Sequence, residues 1–266
     1  MKFKLVVSDF DGTLGSVPHV IEPETVEAIK KYVSAGGKFV ICSGRGYDNV
    51  SIIYKNYGLK GFAVGLQGGI IKDVETKETL FLGGIPTDVV LKVISRIKSF
   101  GVQVVAYPET GLLYDEDTEY TRYYRSVLKV EGTFVDNLVD YISKNKLNII
   151  KVNAIAHPEK VAEIIPIIKR EFEGELLINS GSSRLMECVH PLCNKGNAVK
   201  ILAEKFNLDY SEIMAVGDSS NDIELVNGSW HGVAVGDADE ALKKVAKEVT
   251  VPFSENPIKH LLEIYG

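Results

Sequence analysis

The sequence is poor in cysteine, since its 266 residues include only Cys42, Cys188 and Cys193. Three cysteines form no paired framework, so a reduced, cytoplasmic setting is expected and a secreted one is not. Cys188 and Cys193 lie close to His190, but no second ligand cluster follows them at zinc-finger spacing. A structural zinc site is therefore not expected.

Long apolar runs are absent as well. No stretch approaches roughly 18 consecutive apolar residues, so we expect no membrane span and no membrane partner. The first apolar run, Leu5-Val6-Val7, is short and is soon interrupted by Asp9. That pattern is not typical of a signal peptide.

The chain also lacks an excess of basic residues. Its 30 lysines and arginines are outnumbered by 36 aspartates and glutamates, which gives a formal net charge of −6. A broad nucleic-acid surface needs a basic stripe, so no nucleic-acid partner is expected. A small anionic substrate remains compatible with this charge, because a local metal ion or lysine can outweigh the global sign. The oligomeric state is not readable from the sequence.

What the sequence does contain is an alternation of strand-like and helix-like segments towards both ends. This alternation predicts an α/β fold with a Rossmann-like, doubly wound and mostly parallel sheet over residues 1–82 and 190–266. Residues 83–189 are patterned differently, and we predict that they form an inserted α+β unit.

The individual predictions follow from turn residues and hydrophobic spacing. In the α/β region the predicted strands are 4–8, 38–42, 62–66, 213–216 and 232–235, with a hairpin over 70–82. The predicted helices there are 23–35, 46–57, 197–206, 222–226 and 240–247. In the inserted unit we predict helices at 88–99, 136–144 and 159–172, and strands at 102–107, 148–154 and 175–179.

Acidic residues directly follow two of the predicted strands. Asp9 and Asp11 come after the first strand, and Asp218 and Asp222 come after the strand at 213–216. Ligands of open parallel sheets lie at the carboxyl ends of the strands, so these four carboxylates are expected to converge. Like charges at close range are costly unless a cation or protons compensate them. Mg²⁺ suits this role, because it prefers oxygen ligands and keeps water and substrate phosphate in its coordination sphere.

Two further segments carry groups that bind anions. Ser43 and Gly44 lie between a predicted strand and a predicted helix, where free backbone N–H groups and a hydroxyl can hold an anion. Lys195 opens a predicted helix, where a cation opposes the helix dipole unless an anion is bound beside it.

Each of these segments has a purely structural alternative. Asp9 and Asp11 could form a turn with local side-chain bonds, and Ser43 could simply cap a helix. Lys195 could be a solvated surface lysine. The segment 218–222 could cap the helix that follows it, although capping explains one acid and hardly both together with Asn221.

Taken in order, the segments resemble the motifs of the haloacid dehalogenase-like hydrolase superfamily. The matching residues are Asp9-Phe10-Asp11-Gly12-Thr13 for the nucleophile motif, Ser43-Gly44-Arg45 for the second motif, Lys195-Gly196 for the lysine motif and Gly217-Asp218-Ser219-Ser220-Asn221-Asp222 for the acidic motif. The insertion lies between the second and third motifs, where the Cof-type branch carries its α/β cap. The resemblance thus implies that residues 83–189 are a cap domain on a catalytic core. One departure is Gln67-Gly68-Gly69, where members often read Asn-Gly-Ala.

The resemblance also implies roles for individual residues. Asp9 would attack phosphorus and form an aspartyl-phosphate, and Asp11 would protonate the leaving oxygen and then activate water. The implied Mg²⁺ ligands are the Asp9 carboxylate, the Asp11 carbonyl and Asp218, with Asp222 supporting them from the second sphere. The groups implied to bind the phosphoryl oxygens are the Phe10 backbone, Ser43, Gly44, Lys195 and Asn221. Arg45 is a further candidate for substrate contact.

The function implied is a Mg²⁺-dependent phosphatase of small phosphomonoesters, with sugar phosphates as the first choice. The alternatives are a phosphomutase of the same superfamily, a phosphoglycolate-type phosphatase and, more remotely, a non-catalytic regulatory binding protein. In the inserted unit, Lys151 and Arg184 are expected to be solvated strand positions, with substrate contact as the alternative. The segment Tyr120–Tyr124 is expected to be a packed helix face.

Overall fold

The computed structural model describes residues 1–16, 20–128 and 132–266. Its strands are, in chain order, β1 (Leu5–Ser8), β2 (Lys38–Ile41), β3 (Phe62–Gly65), β4 (Ile70–Asp73), β5 (Thr79–Leu82), β6 (Gln103–Tyr107), β7 (Leu113–Tyr114), β8 (Thr133–Phe134), β9 (Lys151–Ile155), β10 (Leu177–Ser182), β11 (Leu185–Val189), β12 (Ile213–Gly217), β13 (His231–Ala234) and β14 (Glu248–Val249). Its α-helices are α1 (Pro23–Ser34), α2 (Tyr47–Tyr57), α3 (Thr87–Lys98), α4 (Glu119–Leu128), α5 (Leu138–Asn145), α6 (Pro158–Glu171), α7 (Lys195–Phe206), α8 (Ile223–Val226), α9 (Glu240–Val245) and α10 (Pro257–Tyr265). In the described part of the chain, none of the helices combines the length and the apolarity that a membrane crossing requires.

The chain divides into two compact units. The first comprises Met1–Arg45, Asn49–Phe81 and Asn194–Gly266, and the second comprises Gly46–Asp48 and Leu82–Cys193. The roles of catalytic core and cap stay predictions for these regions.

The first unit is built on a parallel sheet with the strand order β14-β13-β12-β1-β2. The central strand β1 is buried along its whole length. Leu5 and Val7 pack with residues of α7 and α8 in one core cluster, and Val6, which points to the opposite face, is buried as well. A parallel strand covered on both faces reads as a continuous apolar run, and β1 has that sequence. The predicted α/β fold with a mostly parallel sheet is confirmed.

Strand β3 departs from the prediction that it rejoins this sheet. It pairs antiparallel with β4, and β3, β4 and β5 form a separate three-stranded sheet. A parallel bridge between Cys42 and Val64 links it to the main sheet. The N–H of Ser43 donates to the Val64 carbonyl at 3.0 Å, so the chain beyond β2 is still held beside β3.

Helix α1 shows how the local sequence sets an element. It begins at Pro23, whose fixed φ suits the first turn, and it ends shortly before Gly36, which takes a φ of 100°. Its buried residues Val26, Ile29 and Tyr32 recur at helical spacing. Helix α10 packs against α1 and was not predicted from the sequence.

The second unit contains a six-stranded sheet in the order β10-β11-β9-β6-β7-β8, antiparallel except between β7 and β8. Helices α3, α5 and α6 contribute to one core with the sheet, in which Val152 and Ala154 of β9 are buried. Side chains alternate along a strand, so Lys151 and Asn153 point to the other face. The predicted α+β character is correct, although β7, β8 and β11 were not predicted.

One residue-level prediction in the second unit is wrong, and a second is correct about exposure but wrong about the strand. Lys151 is only 2% exposed, not solvated, and its ammonium donates to Glu187 Oε1 at 2.8 Å. Arg184 lies exposed in the turn between β10 and β11, not on a strand. The segment 120–124 does lie in α4, where Tyr124 is buried while Tyr123 is exposed.

Candidate active site

The candidate site residues lie at the carboxyl ends of three adjacent strands of the first unit. β1 lies between β12 and β2, and all three run parallel. The main chain continues this order beyond the strands, because the N–H of Asp9 donates to Val216 O at 2.9 Å and that of Cys42 donates to Ser8 O at 2.8 Å. Asp9 follows β1 and Asp218 follows β12, so the topology brings the two acidic segments to one edge of the sheet.

Lys195 joins these two segments. Its ammonium lies 2.5 Å from Asp9 Oδ1 and 2.6 Å from Asp222 Oδ1, and all three side chains are buried. Lys195 is the first residue of α7, and the Asn194 side chain caps that helix by accepting from the Asn197 N–H. The alternative of a solvated surface lysine is therefore wrong, because this helix start is buried at the sheet edge.

The acids around Lys195 are held in an environment that opposes ionisation. Burial raises the pKa of Asp9 well above its usual range, against the lowering effect of Lys195, and Asp222 and Asp218 raise it further. Burial also raises the pKa of Asp218 to about 6, although the Thr13 hydroxyl acts in the opposite direction. Desolvation and neighbouring like charge both disfavour a carboxylate.

Hydrogen bonds within the loops fix Asp218 and Asp222. The Thr13 hydroxyl donates to Asp218 Oδ1 at 2.7 Å. Asp222 Oδ2 accepts from the backbone N–H groups of Asp218 and Ser219 at 3.1 and 3.2 Å. Gly12 has a φ of 84°, and a Cβ there would lie 2.7 Å from Asp218 Oδ2. The positive φ favours glycine at this position, and any larger residue would displace the Asp218 carboxylate.

Asp11 lies in a different environment from Asp9. Its carboxylate accepts two hydrogen bonds from the Arg45 guanidinium, from Nε at 2.8 Å and from Nη2 at 2.5 Å. The Arg45 side chain is buried, with its guanidinium carbon 5.1 Å from the centre of the Phe10 ring, whereas the Asp11 side chain is 43% exposed. The structure thus separates the two acids of the first motif into one buried beside lysine and one held by arginine.

The expected backbone anion cradle at Ser43 is only partly available. The N–H of Ser43 donates to Val64 O, and the N–H of Arg45 donates to the Ser43 hydroxyl oxygen at 3.2 Å. Both N–H groups already have an acceptor, so the N–H of Ser43 is not the free donor that was expected. The reason is that β3 continues alongside the end of β2 and that the serine side chain closes a local turn. Phosphate binding by Ser43 and Gly44 stays a prediction. Of the other predicted phosphate contacts, the Phe10 carbonyl accepts from Leu14 and Gly15, and Asn221 Oδ1 accepts from the Ser219 hydroxyl.

Comparison with known proteins gives a consistent result. The sequence model of the haloacid dehalogenase-like hydrolases matches residues 6–262. The chain belongs to this family. A Haemophilus influenzae protein named "Putative phosphatase" is 29% identical over 99% of this chain and 98% of its own length. The "HMP-PP phosphatase" of Serratia proteamaculans is 24% identical over 94% of this chain and 89% of its own length.

A solved structure extends the agreement to the fold. The "putative HAD/COF-like hydrolase" of Plasmodium vivax matches with a TM-score of 0.86 at 24% identity, and covers 98% of this chain and 95% of that one. The predicted membership of the haloacid dehalogenase-like superfamily in its Cof-type branch is confirmed, as is the prediction of a phosphatase enzyme.

The acidic cluster of this hydrolase fits a divalent cation. Asp9, Asp218 and Asp222 each offer a carboxylate oxygen, and these oxygens lie within 4.8 Å of one another. Lys195 offsets one of the three negative charges, so a further cation would remove the remaining repulsion. Both oxygens of Asp222 already accept hydrogen bonds, which fits a supporting role, whereas Asp9 and Asp218 are better suited to bind the ion.

Three residues of the hydrolase site were missed or given no role from the sequence. Thr13 holds Asp218, and Asp239 accepts from the Ser220 N–H at 2.8 Å while its own N–H donates to Asp218 O. Gln67 lies against Gly44, as described below. Thr13 stood inside a quoted motif and could have been identified, whereas Asp239 carries no local signal that links it to Asp218.

Proposed function

We propose that this hydrolase is a Mg²⁺-dependent phosphatase of small phosphomonoesters, with sugar phosphates as the first candidates, and that Asp9 is its nucleophile. The observation that carries the proposal is the buried contact of Lys195 with both Asp9 and Asp222 at the strand ends. A buried ammonium beside a carboxylate provides both a nucleophile and a positive charge for phosphoryl oxygens.

In the first half of the proposed reaction, Asp9 is the attacking group. An oxygen of its carboxylate forms a bond to phosphorus while the bond from phosphorus to the leaving oxygen breaks. Asp11 donates a proton to that oxygen, and the product is an aspartyl-phosphate on Asp9. Asp11 is held by Arg45 in the structure, so the position of this proton donor depends on Arg45.

In the second half, Asp11 accepts a proton from water. The water oxygen bonds to phosphorus, the bond from phosphorus to Asp9 breaks, and phosphate leaves with the Asp9 carboxylate restored. Lys195 donates to Asp9 before the reaction. In the proposed reaction its ammonium then contacts the phosphoryl oxygens, where negative charge develops. Ser43, Gly44, the Phe10 backbone and Asn221 are the further candidate contacts of the phosphoryl group.

The proposed cation ligands are the carboxylates of Asp9 and Asp218 and the carbonyl of Asp11. Mg²⁺ bound there would supply positive charge against the phosphoryl oxygens. Asp222 holds Lys195 and the loop N–H groups in place. The cytoplasmic location and the absence of nucleic-acid partners stay predictions.

The proposal is tested by a panel of phosphorylated metabolites, scored for phosphate release with Mg²⁺ and with EDTA. The panel should contain hexose phosphates, phosphoglycolate, nucleotides and HMP-PP, the compound in the name of the Serratia relative. Release from sugar phosphates that requires Mg²⁺ supports the proposal, and no release from any member contradicts it. An isomerised sugar phosphate without free phosphate would favour a phosphomutase. A preference for phosphoglycolate would favour a phosphoglycolate-type phosphatase.

A further inference from the structure

Three consecutive residues after β3 have left-handed backbone conformations. Leu66 has a φ of 52°, Gln67 a φ of 61° with a ψ of 27°, and Gly68 a φ of 95°. All three are buried. Such values are uncommon for residues other than glycine, and they persist only where the surrounding structure imposes them. The segment 66–68 is therefore held by contacts that offset its strain.

Those contacts lead to the candidate phosphate-binding segment. The N–H of Leu66 donates to the Arg45 carbonyl at 2.7 Å, and the N–H of Gln67 donates to the Ser43 carbonyl at 3.2 Å. The left-handed turn thus directs two successive N–H groups at carbonyls on either side of Gly44. In this way it fixes the backbone of Ser43–Arg45 from one side.

The side chain of Gln67 adds a contact on Gly44 itself. Gln67 is 4% exposed, and a Cβ built on Gly44 would lie 2.6 Å from Gln67 Nε2. The next two nearest atoms, Cδ at 3.2 Å and Oε1 at 3.7 Å, also belong to the Gln67 carboxamide. Because Gly44 has no side chain, the Gln67 carboxamide has room to pack directly on the Gly44 backbone.

The next residue connects the same segment to the helix of Lys195. A Cβ on Gly68 would lie 2.4 Å from the carbonyl oxygen of Asn194, so the two backbones pass at close range. Asn194 is the N-cap of α7, whose first residue is Lys195. One strained segment thus contacts both the Ser43–Arg45 segment and the start of α7.

We propose that Gln67 is a positioning residue for phosphate binding: its left-handed backbone and its carboxamide hold Ser43 and Gly44 in the orientation that receives the phosphoryl oxygens. This inference rests on the proposed function, since Ser43 and Gly44 must bind phosphate for it to apply. A displacement of these groups by a fraction of an ångström weakens oriented contacts to a phosphoryl group.

The first test compares Gln67→Gly and Gln67→Asn. Glycine keeps the backbone free to adopt a positive φ but removes the carboxamide, whereas asparagine tolerates the left-handed region and retains an amide. With Mg²⁺ present, we expect Gln67→Gly to raise the dissociation constant of inorganic phosphate and the KM for a phosphomonoester by about tenfold. Gln67→Asn should recover most of that loss, with kcat changed less than KM in both variants.

Lys146→Gly is the matched control. Lys146 also has a positive φ, 50°, but it is exposed at the end of α5 in the second unit. This change removes a left-handed side chain that is not among the candidate site residues, so phosphate binding should equal that of the wild type. Thermal midpoints are measured for all variants, so that loss of folding is separated from loss of binding.

The second test is a double-mutant cycle between Gly44 and Gln67. Gly44→Ala forces a methyl group against the Gln67 amide and should weaken phosphate binding. In the Gln67→Gly background the methyl group has room, so Gly44→Ala should cost less there than in the wild type. The inference would be overturned if the effects of the two substitutions on phosphate affinity were strictly additive. It would also be overturned if Gln67→Gly bound phosphate as tightly as the wild type, or if Gln67→Gly and Gln67→Asn lost phosphate affinity equally. A wild-type protein that neither binds nor releases phosphate would instead overturn the proposed function.

Discussion

Lys195 and Asp9, which are 186 positions apart in the chain, form a buried contact with Nζ 2.5 Å from Oδ1. Burial alone would lower the pKa of Lys195, but Asp222 and Asp9 raise it well above its usual range. The ammonium therefore stays charged and pairs with the carboxylates of Asp9 and Asp222 at the same time. Because the lysine is itself surrounded by protein, its removal should affect both folding and phosphate release.

Replacement of Lys195 by methionine should leave Asp9 and Asp222 buried without their cation. We expect the free energy of unfolding to fall by roughly 3 kcal/mol, since breaking a buried ion pair leaves an uncompensated charge. Phosphate release should fall at least about 100-fold, because a charge aimed at the phosphoryl oxygens is lost. Urea unfolding and a phosphate assay at saturating substrate measure the two effects.

Lys205→Met is the control on the same helix. Lys205 is more exposed and pairs with Glu78, so its replacement should change stability by less than about 1 kcal/mol and leave turnover intact. Similar losses in the Lys195 and Lys205 variants would contradict a special role for Lys195.

The ion pair of Arg45 with Asp11 predicts an effect that depends on the leaving group. An alkyl phosphate needs a proton on its leaving oxygen, whereas p-nitrophenolate leaves readily without one. Arg45→Met should misplace Asp11 and lower kcat about tenfold or more for an alkyl phosphate, but much less for p-nitrophenyl phosphate. Steady-state rates on both substrates measure the ratio. Equal losses on the two would mean that Arg45 does not act through Asp11.

The pKa of Asp218, raised to about 6 mainly by burial, predicts how stability depends on pH without metal. The folded state holds this proton to higher pH than the unfolded chain, whose carboxyl titrates near 3.8. The folded state therefore binds more protons between these two values, and stability falls as pH rises through about 6. In EDTA, the wild type should lose more thermal stability from about pH 5 to about pH 8 than Asp218→Asn does.

Mg²⁺ should reverse that difference. At about pH 8, where Asp218 is ionised, added Mg²⁺ should raise the thermal midpoint of the wild type by mass action. Asp218→Asn should respond much less, because it offers a weaker ligand. If the thermal midpoint of the wild type changed with neither EDTA nor Mg²⁺, that result would argue against a cation in this cluster.

The buried pair of Lys151 and Glu187 predicts a stability effect in the second unit. Lys151→Met should destabilise the protein by roughly 3–5 kcal/mol, because Glu187 would remain buried without its cation. The double change with Glu187→Leu should lie closer to the wild type, since both charges are then removed. Urea unfolding, followed by circular dichroism in the far ultraviolet, measures the free energy of unfolding of each variant.

A surface pair in the same unit provides the comparison. Arg96 forms a bidentate pair with Glu171 but is only partly buried, so Arg96→Met should destabilise the protein much less than Lys151→Met does. If Lys151→Met were as mild as Arg96→Met, the Lys151 pair would not be a structural element of this unit.

The strand-end acids could be predicted from the sequence, because each lies directly after an apolar run and parallel strands end at one edge. The contact of Thr13 with Asp218 could not, since it joins side chains 205 positions apart and depends on the loop conformation. Lys151 was expected to be solvated because most lysines are, and its buried partner Glu187 could not be foreseen because it lies on β11, a strand that was not predicted. Gln67 stood out only as a departure from Asn-Gly-Ala, and its conformation could not be predicted, since glutamine has no marked preference for the left-handed region that the fold imposes on it.

The most direct test of the account is the turnover of Asp9→Asn. Asparagine has the shape of aspartate but cannot serve as the carboxylate nucleophile, and burial already disfavours the Asp9 charge, so the variant should fold. With a phosphomonoester and Mg²⁺, we predict that phosphate release falls to background while the circular dichroism spectrum and thermal midpoint stay close to those of the wild type. Near-normal phosphate release by a folded Asp9→Asn protein would contradict the assignment of Asp9 as the nucleophile.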